Sequence, residues 1–307
     1  MKIIHQANEL EPAGRKVCLA IGVFDGLHLG HRQIIRQTVT DARQHDALAL
    51  VVTFDRHPNA IVAPDHLPPQ IFARSQKLRA AEALGAEVFL EIPFDWDFSR
   101  KSGEEFIREL AAGLGRIHSI CVGADFVFGR QRGGNVALLR QLGTELGFAV
   151  HGLAAVALDG QVVSSTRIRE AIRTGDLDAA SQMLGQPYAL CGRVVAGDQL
   201  GRQLGFPTAN LEVTGLILPP AGVYAATATV AGRAYHAALN IGLRPTVAAG
   251  IPKMRVEAHL LDFSGDLYDA ELTVEPGTRL REERRFGSVA ELKEQIFRDI
   301  AAVRAGA

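Results

Sequence analysis

The sequence predicts two folded units: a doubly wound parallel α/β sheet, then a small Greek-key β-barrel with a C-terminal helix. Over the first half, apolar runs of strand length alternate with helical patterns. After about residue 183 the period shortens to brief strands with Gly, Pro and Asn between them, and one amphipathic segment closes the chain. At 307 residues, each unit can bury a core of its own. The boundary is expected near Leu184-Gly185-Gln186-Pro187, giving domains of 1–183 and 184–307.

Strand-like runs fall around 17–23, 48–54, 87–92, 118–123 and 149–156, with helical patterns around 31–45, 75–84, 103–112 and 134–147. That alternation predicts a parallel sheet covered on both faces by helices. Ligands of such sheets bind beyond the carboxyl ends of the strands, where His28, His57 and Asp125 would all lie. Further on, short strands are expected at 188–195, 224–230, 234–240, 255–262 and 271–275. A helix over 289–303 places Leu292, Ile296, Ile300 and Val303 on one face.

A formal net charge of −1 gives no electrostatic case for a nucleic-acid partner. Three cysteines without a C-x-x-C pair argue against a disulfide framework or a zinc site. Cys18, Cys121 and Cys191 each sit in an apolar run and read as buried thiols. No apolar run reaches membrane-spanning length and the N-terminal segment is too polar for a secretion signal, so a cytoplasmic protein with no membrane partner is expected. Oligomerisation is left open.

The apolar run 16–24 is broken by Asp25-Gly26, after which His28-Leu29-Gly30-His31 opens a segment with Ile34, Ile35 and Val39 at helical spacing. A strand, a glycine turn and a helix start make an anion site, because the first helical N–H groups lack intrahelical partners and the dipole favours negative charge. Gly30 keeps bulk away, and two imidazoles there suit a triphosphate; taken alone, the pair also fits a metal or a solvated surface. Later, Ser164-Ser165-Thr166-Arg167-Ile168-Arg169 forms a second hydroxyl-rich, basic helix start, with Ser164 or Ser165 as its cap.

Together these segments resemble the H-x-G-H nucleotidyltransferases, whose fold is a Rossmann-like doubly wound sheet. The resemblance narrows with Gly22-Val23-Phe24-Asp25-Gly26-Leu27-His28-Leu29-Gly30-His31, Thr53-Phe54-Asp55-Arg56-His57-Pro58 and Gly123-Ala124-Asp125-Phe126-Val127-Phe128-Gly129, which stand in the order of the bacterial FAD synthetase module. Downstream, Gly201-Arg202-Gln203-Leu204-Gly205-Phe206-Pro207-Thr208-Ala209-Asn210 looks like the riboflavin kinase signature. The whole chain resembles the bacterial bifunctional riboflavin kinase/FMN adenylyltransferases, which makes 1–183 an adenylyltransferase domain and 184–307 a kinase domain.

The resemblance implies that His28 and His31 contact the ATP phosphates and stabilise the transition state while FMN phosphate attacks in line. It implies that Ser164, Ser165 and Thr166 hold the β- and γ-phosphates, with Arg169 as a cationic partner, and that Gly22, Phe24, Asp25, Gly30, His57 and Asp125 serve the nucleotide site. Arg56 stands where a proline is usual and is expected to loosen that turn.

In the second half, Gly197, Gly201, Arg202 and Gly205 punctuate a loop able to wrap a phosphate through backbone N–H groups, though such a loop also fits a plain turn. Thr208 and Asn210, two apart in an extended segment, point to one face and offer oxygens to a magnesium ion bridged to ATP. By resemblance Glu257 is the base that deprotonates the riboflavin hydroxyl, while Asn240 and Arg244 in Asn240-Ile241-Gly242-Leu243-Arg244-Pro245-Thr246, together with Arg281, lie at the flavin. His259 shares the face of Glu257 and receives no catalytic role. Asp269 replaces a usual glycine; if that turn needs a positive φ, aspartate tolerates it better than most residues.

The expected partners are therefore ATP with Mg²⁺, riboflavin, FMN and FAD, the flavins being substrates and products rather than resident cofactors. Three rivals compete with two live reactions: a chain with one active half, a flavin-binding regulator without turnover, and a different adenylyltransferase fused to an unrelated barrel. The joint presence of His28, His31, Thr208, Asn210 and Glu257 disfavours the first two, and the kinase signature in the barrel disfavours the third.

Overall fold

Val17–Ile21 is buried along its whole length, as a strand flanked by others on both edges and covered on both faces must be. In a computed structural model that describes all residues except 198–199, 245–252 and 307, this strand lies inside a six-stranded parallel sheet. Numbering strands of three residues or more, these are β1 (Lys2–Ile4), β2 (Val17–Ile21), β3 (Leu48–Phe54), β4 (Val88–Ile92), β5 (Ile117–Gly123) and β6 (Ala149–Leu153). Their order is β1-β4-β3-β2-β5-β6. Strands β2, β3 and β4 wind outward to one side, and β5 then returns to the other edge of β2. The ends of β2 and β5 therefore flank the switch point where open α/β sheets bind ligands.

Among helices of eight residues or more, α1 (Leu29–Gln44), α2 (Arg74–Ala83), α3 (Gly103–Leu114) and α4 (Val136–Leu146) accompany the sheet. Helix α1 buries Ile34, Ile35 and Val39, the predicted apolar stripe, and Ala42 with them. Helix α3 starts in a capping box: Ser102 accepts from Glu105 N–H, and the Glu105 carboxylate returns to Ser102 N–H at 2.7 Å. Phe106, Ile107 and Leu110 of α3 and Leu139 and Leu142 of α4 pack on Leu19, Leu50, Leu90 and Ile120 of the sheet. Each such side chain contributes roughly 1.5–3 kcal/mol on burial.

By backbone contacts the chain divides into two compact units, Met1–Pro68 with Arg74–Ser165, and Pro69–Ala73 with Thr166–Ala307. The second contains a closed antiparallel barrel of β7 (Leu190–Val195), β8 (Ala209–Leu211), β9 (Gly222–Val230), β10 (Arg233–Arg244), β11 (Lys253–Leu260) and β12 (Glu271–Arg281), ordered β7-β8-β11-β10-β9-β12. Ala226, Ala228, Ala237, Leu239, Ile241, Val256, Ala258, Leu272 and Val274 fill its interior; the small alanines suit a narrow barrel. Helices α5 (Ser165–Thr174), α6 (Leu177–Leu184) and α7 (Val289–Ala305) complete the set. The backbone of Gln70 is built into this unit as well, pairing with Leu216 and donating to Gly215 O at 2.8 Å.

Some expectations change. The glycine-punctuated stretch contains a short helix, Leu200–Leu204, rather than an open loop, and Asp198 and Gln199 lie outside the described residues, as do Pro245 and Thr246. Asp269 does adopt a positive φ, +63°, and pairs with Arg193 at 2.9 Å. The three cysteines are buried thiols, and burial pushes Cys121 up to about 12.

Candidate active sites

Strand β2 runs out into Gly22, whose N–H bonds to Val52 O at 3.1 Å. A Cβ on Gly22 would lie 3.0 Å from the Phe24 ring, so glycine lets that ring fold back over the strand end. The chain then passes through left-handed conformations at Phe24 (φ 52°), Gly26 (79°) and Leu27 (37°). Non-glycine residues stay there only when their surroundings over-determine them. Phe24 and Leu27 are both fully buried, and the Val23 carbonyl accepts two hydrogen bonds, from Thr53 Oγ1 at 3.0 Å and Lys77 Nζ at 3.2 Å.

This turn delivers His28 to the N-cap of α1 and His31 to its first turn. The two rings stack with centroids 3.6 Å apart and planes 22° apart, and Phe24 meets His31 edge-on at 5.3 Å. Gly30 fits beneath: a Cβ there would sit 3.3 Å from the His28 ring. His31 Nδ1 is buried with no hydrogen-bond partner among the described residues. Burial, then the adjacent His28 ring, then the Lys77 ammonium hold His31 well below the usual histidine range, so it is neutral near pH 7.

The second motif meets the first. Ser165 Oγ donates to the Asp25 carbonyl at 3.1 Å, within the first unit. Asp25 is itself buried, near the Lys77 ammonium. Thr166 and Arg169 belong to the second unit; Thr166 is exposed, and Arg169 is buried with Nε donating to Pro69 O at 2.7 Å. His57 follows β3, and its Nδ1 accepts the Asn59 N–H at 3.1 Å, which leaves the ring proton on Nε2. Asp125 is exposed in the turn after β5. Arg56 stands just beyond the end of β3. It forks onto Asp55 Oδ2 at 2.9 and 3.1 Å while Asp55 Oδ1 accepts the Phe94 N–H at 2.8 Å. Burial pulls the Asp55 carboxyl upward, but these donors hold it below the usual carboxylate range.

In the barrel unit a cavity of about 620 Å³ is lined by Gly197, Arg202, Thr208, Asn210, Ala258 and Tyr268, among others. Thr208 and Asn210 flank buried Ala209 and so share the opposite, outward face. The glycines lie against them. A Cβ on Gly197 would fall 2.3 Å from Asn210 Nδ2, and one on Gly201 would fall 2.5 Å from Phe206 O and 3.1 Å from Thr208 Oγ1. Gly205 takes φ +92°. Beside the cavity, Asn210, Glu257 and Asn240 stand in cross-strand register on β8, β11 and β10, one polar row on the outside of the barrel. Arg255 Nε ties the row together, 3.0 Å from Asn210 Oδ1 and 3.2 Å from Glu257 Oε1.

His259 Nδ1 lies 2.8 Å from Pro207 O, a structural contact. Arg281 grips buried Asp299 of α7 through Nε at 3.0 Å and Nη2 at 2.8 Å and lies 5.6 Å from the Phe286 ring centre. Arg244 ends β10. The hydroxyl of Thr208 and the amide oxygen of Asn210 are the hard, neutral donors that a magnesium ion accepts when phosphates and water complete its shell.

Sequence reasoning missed Lys77, Thr53 as a carbonyl anchor, and Arg255. Arg255 carried a readable signal, since it stands two before Glu257 on an alternating strand. Lys77 carried none: α2 has only Gln76 and Ala81 buried, and nothing in its pattern singles out that lysine.

A doubly wound sheet with two stacked imidazoles at a helix start, followed by a barrel with an outward carboxylate–amide row, offers the groups that a two-unit nucleotide-dependent transferase uses. Comparison with known proteins narrows it. The family model for FAD synthetase matches residues 10–167, and that for riboflavin kinase matches residues 184–306. The bifunctional riboflavin kinase/FMN adenylyltransferase of Pseudomonas fluorescens is 39% identical over 99% of this chain and 97% of its own. That of Escherichia coli K12 is 37% identical over the same shares. A solved structure described as a macrolide-efflux protein from Streptococcus pneumoniae aligns over 99% of both chains, with a TM-score of 0.82 and 27% identity. Among the described residues, no helix is long and apolar enough to cross a membrane. The chain belongs to the bifunctional riboflavin kinase/FMN adenylyltransferase family.

Proposed function

We propose that the two reactions of the family are divided between 184–307, which phosphorylates riboflavin to FMN, and 1–183, which adenylylates FMN to FAD. One observation carries this: each reaction's principal groups stand assembled within one unit, the His28–His31 stack in the first and the Asn210–Glu257–Asn240 row in the second.

In the kinase reaction, Glu257 takes the proton of the terminal ribityl hydroxyl as that oxygen attacks the γ-phosphorus of ATP and ADP leaves. Arg255, 3.2 Å from Glu257 Oε1, keeps the carboxylate oriented. Thr208 and Asn210 would hold magnesium, which supplies charge neutralisation on the ATP phosphates. Gly197, Gly201, Arg202 and Gly205 bound the phosphate side, while Asn240, Arg244 and Arg281 belong to the flavin side.

In the adenylyl transfer, a phosphate oxygen of FMN attacks the α-phosphorus and pyrophosphate leaves, with no covalent enzyme intermediate. His28 and the neutral His31 donate hydrogen bonds to phosphate oxygens at the start of α1, where the helix dipole adds to them. Ser164, Ser165 and Thr166 take the β- and γ-phosphates. Arg169 braces the 69–73 segment, and Asp125 and His57 border the nucleotide. We place both reactions in the cytoplasm, where ATP and magnesium are supplied.

The test is a chromatographic time course with riboflavin, ATP and Mg²⁺. FMN rising first and FAD following supports the reading. FMN that accumulates without FAD, or riboflavin left untouched, removes one half of it.

A further inference from the structure

Lys77 lies outside every motif, yet its side chain reaches the centre of the first site. Its Nζ donates to Val23 O at 3.2 Å, on the carbonyl that Thr53 Oγ1 also holds at 3.0 Å. The next three residues include the left-handed Phe24 and Gly26, and the turn ends at His28. Two donors on one carbonyl at the entrance of a strained turn are the over-determination such a turn requires.

We infer that Lys77 is a positioning residue for adenylyl transfer: seated on the Val23 carbonyl near Asp25, it fixes the turn that aims His28 and His31. This rests on the reading of His28 and His31 as the adenylyl-transfer groups.

The same ammonium has an electrostatic effect. The charged groups around Lys77 are Asp25 in the turn, Glu91 on β4 and Arg74 on its own helix, and those that act on His31 are His28 and Lys77. Burial lowers Lys77 and the two carboxylates oppose that shift. A cation there disfavours a proton on His31, which keeps the ring a neutral donor. Lys77 therefore acts on the pair twice, through a carbonyl and through space.

The experiment compares Lys77→Met, Lys77→Arg and Thr53→Val in the full chain, following FAD formation from FMN and, separately, FMN formation from riboflavin. Lys77→Met is expected to lower kcat for FAD formation on the order of 10²-fold, as a misplaced reacting group does, with KM for ATP and FMN changed by less than about threefold. The acid limb of its pH profile moves to higher pH, because His31 protonates more readily. Lys77→Arg restores about tenfold of the loss and returns the acid limb. Thr53→Val loses rate without moving that limb, since it removes a donor and no charge. Unchanged riboflavin phosphorylation shows that the chain is folded. A Lys77→Met enzyme with kcat within about threefold of the parent and an unmoved acid limb overturns the inference, provided His31→Ala abolishes FAD formation. If His31→Ala leaves FAD formation intact, the reading of the site itself fails instead.

Discussion

Ser165 and Asp25 are joined by a 3.1 Å hydrogen bond from Oγ to the main-chain carbonyl across 140 residues of sequence. The bond ties Ser165 to the turn that carries His28, so two residues proposed to serve one polyphosphate are held together by protein alone. Ser165→Ala removes the donor and leaves the carbonyl at a half-buried position. A neutral hydrogen bond of this kind is worth about 1 kcal/mol net, or about fivefold in an equilibrium constant. Steady-state kinetics should therefore show KM for ATP in FAD formation rising about fivefold, with riboflavin phosphorylation unaltered. An unchanged KM would mean that the two segments are held together by packing.

The division of labour has a sharper test. His28→Ala should reduce FAD formation on the order of 10²–10³-fold, the usual scale for removing one transition-state donor, and leave FMN accumulating from riboflavin. Glu257→Ala should reduce FMN formation by at least about 10²-fold yet convert supplied FMN to FAD at the parental rate. Product chromatography on both variants decides it. Loss of both reactions in either folded variant would place the two chemistries in one site.

How much of this was legible beforehand differs by level. The alternation of strands and helices was, because the central strands β2 and β3 are apolar runs and helices such as α1 carry a stripe, Ile34, Ile35 and Val39. Strand β1 was not: three residues, two of them exposed, pair with β4 at the sheet edge and carry no period. Strand β8 was read only as an extended segment, since three residues are too few to alternate. At the proposed sites, the candidate residues were picked out by type and spacing. Their supports were not. Lys77 touches Val23 only because α2 lies beside the turn, and Arg169 is spent on Pro69 because a five-residue segment of the first half belongs to the second unit.

The neutral His31 makes stability depend on pH, and the sign follows from which state holds the proton. In the folded chain its pKa lies well below the ordinary value, chiefly through burial and then through His28 and Lys77. In the unfolded chain it titrates near 6.5. Below that pH the unfolded state binds a proton that the native state refuses, so stability falls as the pH is lowered from about 7 toward 5. Thermal melts across that range should show a declining Tm for the first unit, and His31→Gln, which cannot titrate, should flatten the slope. A parallel decline in the variant would assign the effect to other groups.

The last prediction concerns Gly197, whose lack of a side chain the structure uses. A Cβ there would stand 2.3 Å from Asn210 Nδ2 and 2.7 Å from Asn210 Oδ1, closer than real atoms approach. The amide lies at the end of a side chain and gives way readily, so in Gly197→Ala it is Asn210 that must turn. Turning it breaks the 3.0 Å bond from Arg255 Nε and removes the amide oxygen from the face it shares with Thr208. Arg255, which also lies 3.2 Å from Glu257 Oε1, then loses one of its anchors, and the carboxylate it orients shifts with it. One methyl group thus disturbs both the oxygen offered to magnesium and the base. Gly197→Ala should raise the Mg²⁺ concentration needed for half-maximal riboflavin phosphorylation and lower kcat about tenfold or more, while FAD formation from supplied FMN is unchanged. A magnesium titration of both reactions on the one variant reads this directly. If the half-maximal concentration does not move, Asn210 is not among the groups that hold the metal, and the amide serves only to orient Arg255.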